Sequence, residues 1–154
     1  MIEINFDSNL STRKSEIKKL INKSIKHILD TLELRKKNYY ISIFVTNNDN
    51  IKKINSRFRK IDKVTNVLSF PQNEERLVRN SEKYLILGDI VISLEKISSE
   101  AKEQNKDFSD HLVHILVHGL LHLLGHDHEN EKEAAIMEKK EILILSKLSI
   151  ADPY

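Results

Sequence analysis

Histidines are concentrated in one short segment of this chain of 154 residues, because six of the seven lie within residues 111–128. Imidazole nitrogens bind zinc and also transfer protons near neutral pH. His118 and His122 are four residues apart, so on a helix they lie one turn apart on one face, where both rings can reach one ion. Gly125 can take the left-handed conformation that ends a helix, which would turn the chain back and bring His128 to the same ion. The spacing predicts a zinc site of three histidines with a fourth coordination position open to water or substrate.

Two points of this prediction stay open, namely the third ligand and the task of the metal. If the helix continued through Gly125, His126 would compete with His128 as the third ligand. The spacing of the three histidines is that of the metzincin zinc site, yet the Glu that serves zincins as general base is replaced by Gly119. We therefore expect His128 to be the ligand and peptidase activity to be absent. A purely structural zinc is the alternative, although such sites usually have four ligands.

Other residues of the same predicted helix have their own expected tasks. His114 lies one turn before His118 and is expected to act as a general acid or base, or to support a ligand; a structural hydrogen bond is the alternative. His111, a further turn back, is expected to be structural. Gly119 costs about 1 kcal/mol relative to Ala within a helix, and such a residue usually marks a close approach to the backbone.

Positive charge is concentrated in the first part of the chain. Residues 1–63 contain 15 Lys and Arg against 7 Asp and Glu, whereas the net charge of the whole chain is only +2. Within 52–63 a single acid, Asp62, stands against six bases, which are Lys52, Lys53, Arg57, Arg59, Lys60 and Lys63. Such a cluster is typical of surfaces that bind nucleic acids, and a solvated lysine-rich surface is the alternative.

Composition excludes several classes of protein. With 40% hydrophobic and 31% charged residues, the chain suits a single globular domain over 1–154. It contains no Cys, which excludes disulfide partners and Cys-based zinc sites. The N-terminal segment does not resemble a signal peptide, and no apolar stretch approaches the roughly 20 residues that span a bilayer. We expect a cytoplasmic protein with no membrane partner.

Hydrophobic periodicity predicts strands interleaved with helices. Strands are expected at 2–6, 39–46, 64–70 and 85–93, with Pro71 closing the third and indicating a sheet edge. Helices are expected from a Ser11 or Thr12 cap to about Leu34, at 51–55 and 93–105, from an Asp107 cap to Leu124, and at 131–148. This order predicts an α+β fold, a single domain in which a small mixed four-stranded sheet packs with about five helices.

Several segments together resemble the YbeY family of bacterial rRNA-maturation endoribonucleases. They are Phe58-Arg59, TNVLSFP at 65–71, LGDIVIS at 87–93 and HGLLHLLGHDH at 118–128. The C-terminal helix, with Met137, Glu138 and Glu141, is also similar to that of the family. The resemblance covers about residues 40–148, with the motifs in the same order.

The resemblance implies a zinc-dependent endoribonuclease specific for single-stranded RNA. Its tasks would be rRNA processing, with maturation of the 16S rRNA 3′ end, and ribosome quality control, and its partners would be rRNA and the small ribosomal subunit. It implies that one zinc per chain is held by His118, His122 and His128, and that Arg59 and His114 are needed for ribonuclease activity.

Substrate contacts are expected along the rim of the site, from Arg57, Lys60, Asn66 and Ser69. Two departures fall in this region, because the family usually has Gly where this chain has Lys60 and Pro where it has Val64. Two other functions stay open at this point. One is a ribosome-assembly factor that binds zinc and rRNA without cutting, and the other is a metallohydrolase of another substrate such as peptides.

Overall fold

The structure, a computed structural model, describes residues 1–11, 13–34, 37–77 and 83–154. Within these ranges the chain forms four strands and five helices. In chain order they are β1 (Ile2–Phe6), α1 (Lys14–Thr31), β2 (Tyr39–Thr46), α2 (Asn48–Arg59), β3 (Val67–Leu77), β4 (Lys83–Ser93), α3 (Leu94–Glu103), α4 (Phe108–Leu123) and α5 (Glu131–Lys147).

The four strands form one mixed sheet in the order β1-β2-β4-β3. The pairs β1 with β2 and β2 with β4 are parallel, whereas β3 runs antiparallel to β4 at the edge. Side chains alternate between the two faces of a strand, so Ile90 and Ile92 join the main core while Val91 joins a smaller one. Helices α1, α3, α4 and α5 contribute to the main core, and α2 covers the other face. The α+β prediction with a four-stranded mixed sheet is confirmed.

Helix α4 lies directly against the edge strand at Gly119. A Cβ atom added at Gly119 would lie 3.1 Å from Val67 Cγ2 and 3.3 Å from Ser69 Oγ. The Ser69 hydroxyl donates to the Gly119 carbonyl at 3.0 Å. The expectation of a close approach at this glycine is confirmed, and the group that approaches is strand β3.

The backbone direction of β3 follows from one hydrogen bond at its start. The Ser93 amide donates to the Asn66 carbonyl, so residue 66 faces β4. Along an antiparallel strand, the backbone N–H and C=O groups of successive residues point alternately toward and away from the paired strand. The backbone groups of Val67, Ser69 and Pro71 therefore point toward the open edge. Pro71 therefore removes no hydrogen bond from the ladder, and the strand continues past it to Leu77. The prediction that Pro71 lies on an edge strand is confirmed, but the prediction that it closes the strand is wrong.

Other element boundaries also differ from the expected ones, among them the starts of β3 at Val67 and of β4 at Lys83. The helix expected at 51–55 spans Asn48–Arg59, because the Asn47 side chain caps it by accepting from the Asn50 amide and Lys60 ends it in the left-handed conformation. Helix α1 begins after Arg13 and ends before Leu32, so Ser11 is not its cap. Thr12, the other expected cap, lies outside the described residues.

The last three helices agree closely with expectation. Ser93 caps α3, and the Asp107 carboxylate caps α4 by accepting from the Ser109 and Asp110 amides. Helix α5 ends at Lys147, one residue before the expected end. Among the described residues, the structure contains no helix with both the length and the apolar character needed to cross a bilayer.

Candidate metal centre and adjoining cleft

His118, His122 and His128 converge on one point. Each offers a ring nitrogen, and these nitrogens all lie within 4.8 Å of one another. The Nε2 atoms of His118 and His122 are 3.1 Å apart. A zinc ion about 2.0–2.1 Å from each nitrogen in tetrahedral geometry would hold two ligand nitrogens about 3.3 Å apart. The observed spacing therefore fits a shared metal ion.

The turn after α4 brings His128 to the other two histidines. Gly125 has φ +96°, its amide donates to the His122 carbonyl, and the His126 amide donates to the Leu121 carbonyl. This pair of bonds is the Schellman arrangement that ends a helix and reverses the chain. His126 points elsewhere and lies 3.1 Å from Lys140 Nζ. The geometry supports His128, rather than His126, as the third ligand.

A buried carboxylate orients the first histidine of the cluster. Glu141 of α5 is fully buried, and its Oε1 lies 2.5 Å from His118 Nδ1. If Nδ1 carries the ring proton and donates it to Glu141, the lone pair of Nε2 is directed at the site. Burial raises the pKa of Glu141, but hydrogen bonds from His114, His118 and Tyr154 outweigh it and lower the pKa to about 2. Glu141 is therefore ionised at neutral pH.

The contact of Glu141 with His118 was missed at the sequence level, although a signal was present. Glu141 lies on the apolar stripe of α5, four residues after Met137 and three and four before Ile144 and Leu145, all of which are buried. A carboxylate on a stripe of this kind needs a buried partner. The sequence does not identify that partner, because it lies on another helix.

His122 is suited to bind a metal as a neutral ligand. Burial and then the neighbouring His118 and His128 lower the pKa of His122. Protonation of this ring is disfavoured, which keeps a nitrogen lone pair available at neutral pH. His118 and His122 are half-buried and His128 is exposed, so the cluster opens to solvent on one side.

A cleft of about 670 Å³ adjoins the cluster. One wall is the turn that carries His126 and His128, and the other is the chain from Lys63 to Ser69 at the start of β3. Arg59, at the end of α2, also lines it. The cleft thus follows the open edge of the sheet, and the three histidines line it.

Arg59 reaches the open edge of β3 from the opposite face of the sheet. Its guanidinium donates to the Ser69 carbonyl at 2.9 Å and lies 5.9 Å from the centre of the Phe70 ring. These contacts hold the side chain in place. The hydrogen bond to Ser69 uses only one of the five N–H donors of the guanidinium, so the other donors remain available to a ligand. Arg59 is therefore a positively charged, oriented group within the cleft.

The other residues expected at the rim lie in different environments. Arg57 is exposed and packs on Phe58, with its Cζ atom 5.3 Å from the ring centre. Lys60 is exposed, and its φ of 61° explains why Gly is favoured at this position. Asn66 lines the cleft while its side-chain amide donates to Glu100. Ser69 lines the cleft, and its buried hydroxyl donates to the Gly119 carbonyl.

His114 lies behind the metal centre and is not among the residues that line the cleft. Its Nε2 is 3.5 Å from Glu141 Oε2, and its ring contacts the Tyr154 ring edge-on. His111 is buried deeper, with its Nε2 3.3 Å from Glu100 Oε1. The structure therefore places His114 next to the carboxylate that orients His118.

Comparison with known proteins identifies relatives of this chain. The profile of the family described as Endoribonuclease YbeY matches residues 3–149. A curated protein of Francisella tularensis subsp. novicida named Endoribonuclease YbeY is 46% identical over 114 residues, which cover 74% of this chain and 70% of the relative. A protein of the same name from Francisella tularensis subsp. tularensis is equally similar over 74% of this chain and 68% of its own.

A solved structure supports the fold. The solution structure of a protein from Thermotoga maritima superposes with a TM-score of 0.58 over 97% of this chain and 92% of that chain, at 23% identity. The profile match over nearly the whole chain and the identity to the curated relatives establish the family. The chain belongs to the YbeY family of endoribonucleases.

Proposed function

We propose that this protein is a zinc-dependent endoribonuclease that cuts single-stranded RNA in the cytoplasm. The observation that carries the proposal is the convergence of His118, His122 and His128 within an open cleft. Three ligands leave a fourth coordination position for water or substrate, which is typical of catalytic rather than structural zinc sites. The name of the family supports RNA as the substrate.

The residues that line the cleft have two proposed roles, metal binding and phosphate binding. His118, His122 and His128 would hold the zinc, which when bound supplies a Lewis acid for a phosphodiester oxygen or lowers the pKa of a bound water. Arg59 would hold the non-bridging oxygens of the phosphate and stabilise the charge that accumulates in the transition state. Its contacts with Ser69 and Phe70 orient it before the substrate arrives.

His114 is proposed to act through Glu141. It was expected to be a proton-transfer group or to support a ligand, and its contact with Glu141 favours the second task. In this position it would help to hold the carboxylate against His118. His114 is then a positioning residue, whose loss weakens the orientation of the metal ligand.

The cleft favours RNA over a peptide. Proteases that bind substrates beside an edge strand use its open backbone groups for hydrogen bonding. Here the Ser69 carbonyl on that edge accepts from Arg59. Gly119 occupies the position of the protease base and faces β3, where even a methyl group meets Val67 and Ser69. The edge therefore presents the positive guanidinium of Arg59 instead of a free carbonyl that could accept from a peptide. A positive group of this kind is suited to bind a phosphate backbone.

The biological substrate is proposed to be rRNA, with the small ribosomal subunit as partner. The specific roles that we propose are maturation of the 16S rRNA 3′ end and ribosome quality control. Both proposals rest on the family resemblance. A cleft open along one strand edge accepts a single strand more readily than an A-form duplex, which is recognised mainly across its shallow minor groove. We therefore expect cleavage at unpaired nucleotides.

The test is cleavage of a labelled RNA that contains the unprocessed 3′ end of 16S rRNA, beside the same RNA annealed to a complementary strand and beside casein. We expect the single strand alone to be cut, activity to disappear with chelator and return with added zinc. His128→Ala should lose zinc and activity, while the matched variant His126→Ala keeps both. RNA binding without cleavage in the zinc-loaded protein would instead identify a non-catalytic assembly factor, and hydrolysis of casein alone would identify a peptidase.

A further inference from the structure

An exposed aromatic ring lies beside the cleft and has no task in the reaction described above. Phe58 is 62% exposed, the largest fraction among the exposed large hydrophobic side chains of the described residues. It belongs to the last turn of α2 and precedes Arg59, which lines the cleft. An exposed phenyl ring next to a residue that lines a cleft is a candidate for contact with the ligand of that cleft.

The ring is held in place by its neighbours. Phe58 contacts Phe70 with the ring centres 5.7 Å apart and the planes at 67°, an edge-to-face arrangement. Phe70 belongs to β3 and packs with the smaller core under α2. A ring that already rests against another side chain loses less conformational entropy when a ligand stacks on it.

The charges around Phe58 identify the kind of ligand. Arg57 lies 5.3 Å from the ring centre, and Arg59 lies 5.9 Å from the centre of the adjoining Phe70 ring. Lys60 and Lys63 follow along the chain, with Asp62 as the only acid between them. An aromatic surface surrounded by cations is suited to a nucleotide, because the base stacks on the ring while the phosphates meet the cations.

We propose that Phe58 is a stacking platform for one base of single-stranded RNA, adjacent to the nucleotide whose phosphate is held by Arg59. The proposal rests on the proposed function, since it assigns the binding of a neighbouring nucleotide to the same cleft. Stacking does not depend on base identity, because every base has a π face. The site therefore favours an unpaired, accessible base over one that is stacked within a duplex.

The test measures the binding of a fluorescein-labelled 2′-O-methyl single strand to the zinc-loaded protein by anisotropy, with the integrity of the strand checked on a gel afterwards. Phe58→Leu keeps apolar bulk but removes the flat ring, and should weaken binding about 5- to 150-fold. Phe58→Trp should bind at least as well as the wild type. Ile136→Ala, which removes another exposed apolar side chain far along the chain, should have no effect.

A second set of strands identifies the contact itself. Each of these strands has one abasic nucleotide, placed at a different position. For one of them, the affinity for the wild type should be as low as the affinity of the complete strand for Phe58→Leu. That abasic strand should lose nothing further with Phe58→Leu, because both changes remove the same contact. Each variant is also melted, and Phe58→Leu and Phe58→Trp should unfold within a few degrees of one another.

Two results would overturn the proposal. One is equal binding by Phe58→Leu and the wild type, and the other is additive loss from the abasic strand and Phe58→Leu at every position. If Phe58→Leu changes the sedimentation of the protein and not its RNA affinity, the ring serves contact with a protein and the proposal is wrong. The proposed function fails separately, when the wild type binds RNA in a manner dependent on Phe58 but does not cleave it.

Discussion

Replacement of Glu141 should weaken zinc binding although Glu141 is not itself a ligand. Its carboxylate lies 2.5 Å from His118 Nδ1 and is fully buried between α4 and α5. In Glu141→Gln the amide oxygen can still accept from His118, but the negative charge that polarises the imidazole is lost. In Glu141→Ala the acceptor is removed altogether, which leaves His118 free to rotate.

The structure suggests different magnitudes for the two variants. Removing a group that orients a metal ligand typically costs 10- to 100-fold in metal affinity, or about 1.4–2.7 kcal/mol. Glu141→Gln keeps the shape of the side chain and should lie near the lower figure. Glu141→Ala should lie near the upper figure, because the hydrogen-bond donors of His118 and Tyr154 both lose their acceptor.

The assay is competition for zinc against a chromophoric chelator at pH 7, followed by circular dichroism of each variant to confirm the fold. The matched control is Glu138→Gln, which removes an exposed carboxylate three residues earlier on the same helix. We expect the control to bind zinc as the wild type does. Wild-type affinity in both Glu141 variants would refute the assigned role of Glu141, and so would an equal loss in the control.

Further predictions concern charge, backbone strain and pH. Arg59→Glu should lower the RNA cleavage rate by at least about 100-fold at unchanged zinc content, and Arg59→Lys should lower it less. The effect of Arg57→Glu should disappear at high salt, and equal, salt-sensitive losses from both charge reversals would contradict a catalytic task for Arg59. Gly88→Ala should lower the free energy of unfolding by more than about 2 kcal/mol in urea titrations, because φ is +137° and the added Cβ would lie 2.2 Å from the Phe70 carbonyl oxygen. Wild-type stability of this variant would show that the backbone at Gly88 can shift. Burial lowers the pKa of His111 although Glu100 raises it, so the unfolded state binds more protons than the folded state. The stability of the protein should therefore fall as the pH drops below about 6.5. In thermal melts His111→Gln should lose part of this pH dependence, and an unchanged pH profile of the melting temperature would contradict the prediction.

The candidate metal centre was largely predictable from sequence because it is built from local spacing. His118 and His122 lie one helical turn apart, and the turn at Gly125 that ends the helix brings His128 to them. The Asp107 cap of α4 was predictable for the same reason. The sheet and its mixed composition followed from the alternation of strands and helices.

Contacts between distant elements were not predictable in the same way. The pairing of Glu141 with His118 depends on how α5 packs on α4, and the bond from Arg59 to Ser69 depends on which side of β3 faces outward. The extension of α2 to Arg59 was missed because its polar surface hides the spacing of Ile51, Ile54 and Phe58. Such contacts are set by tertiary packing, for which a single sequence carries only indirect signals.

The open edge of β3 has a consequence for the behaviour of the protein at high concentration. An unpaired strand edge is a template on which a second chain can add, and such addition leads to aggregation. Here Arg59 occupies the Ser69 carbonyl, and Pro71 offers no N–H to an incoming strand. The same guanidinium that is proposed to hold phosphate thus also protects the molecule from self-association through its sheet.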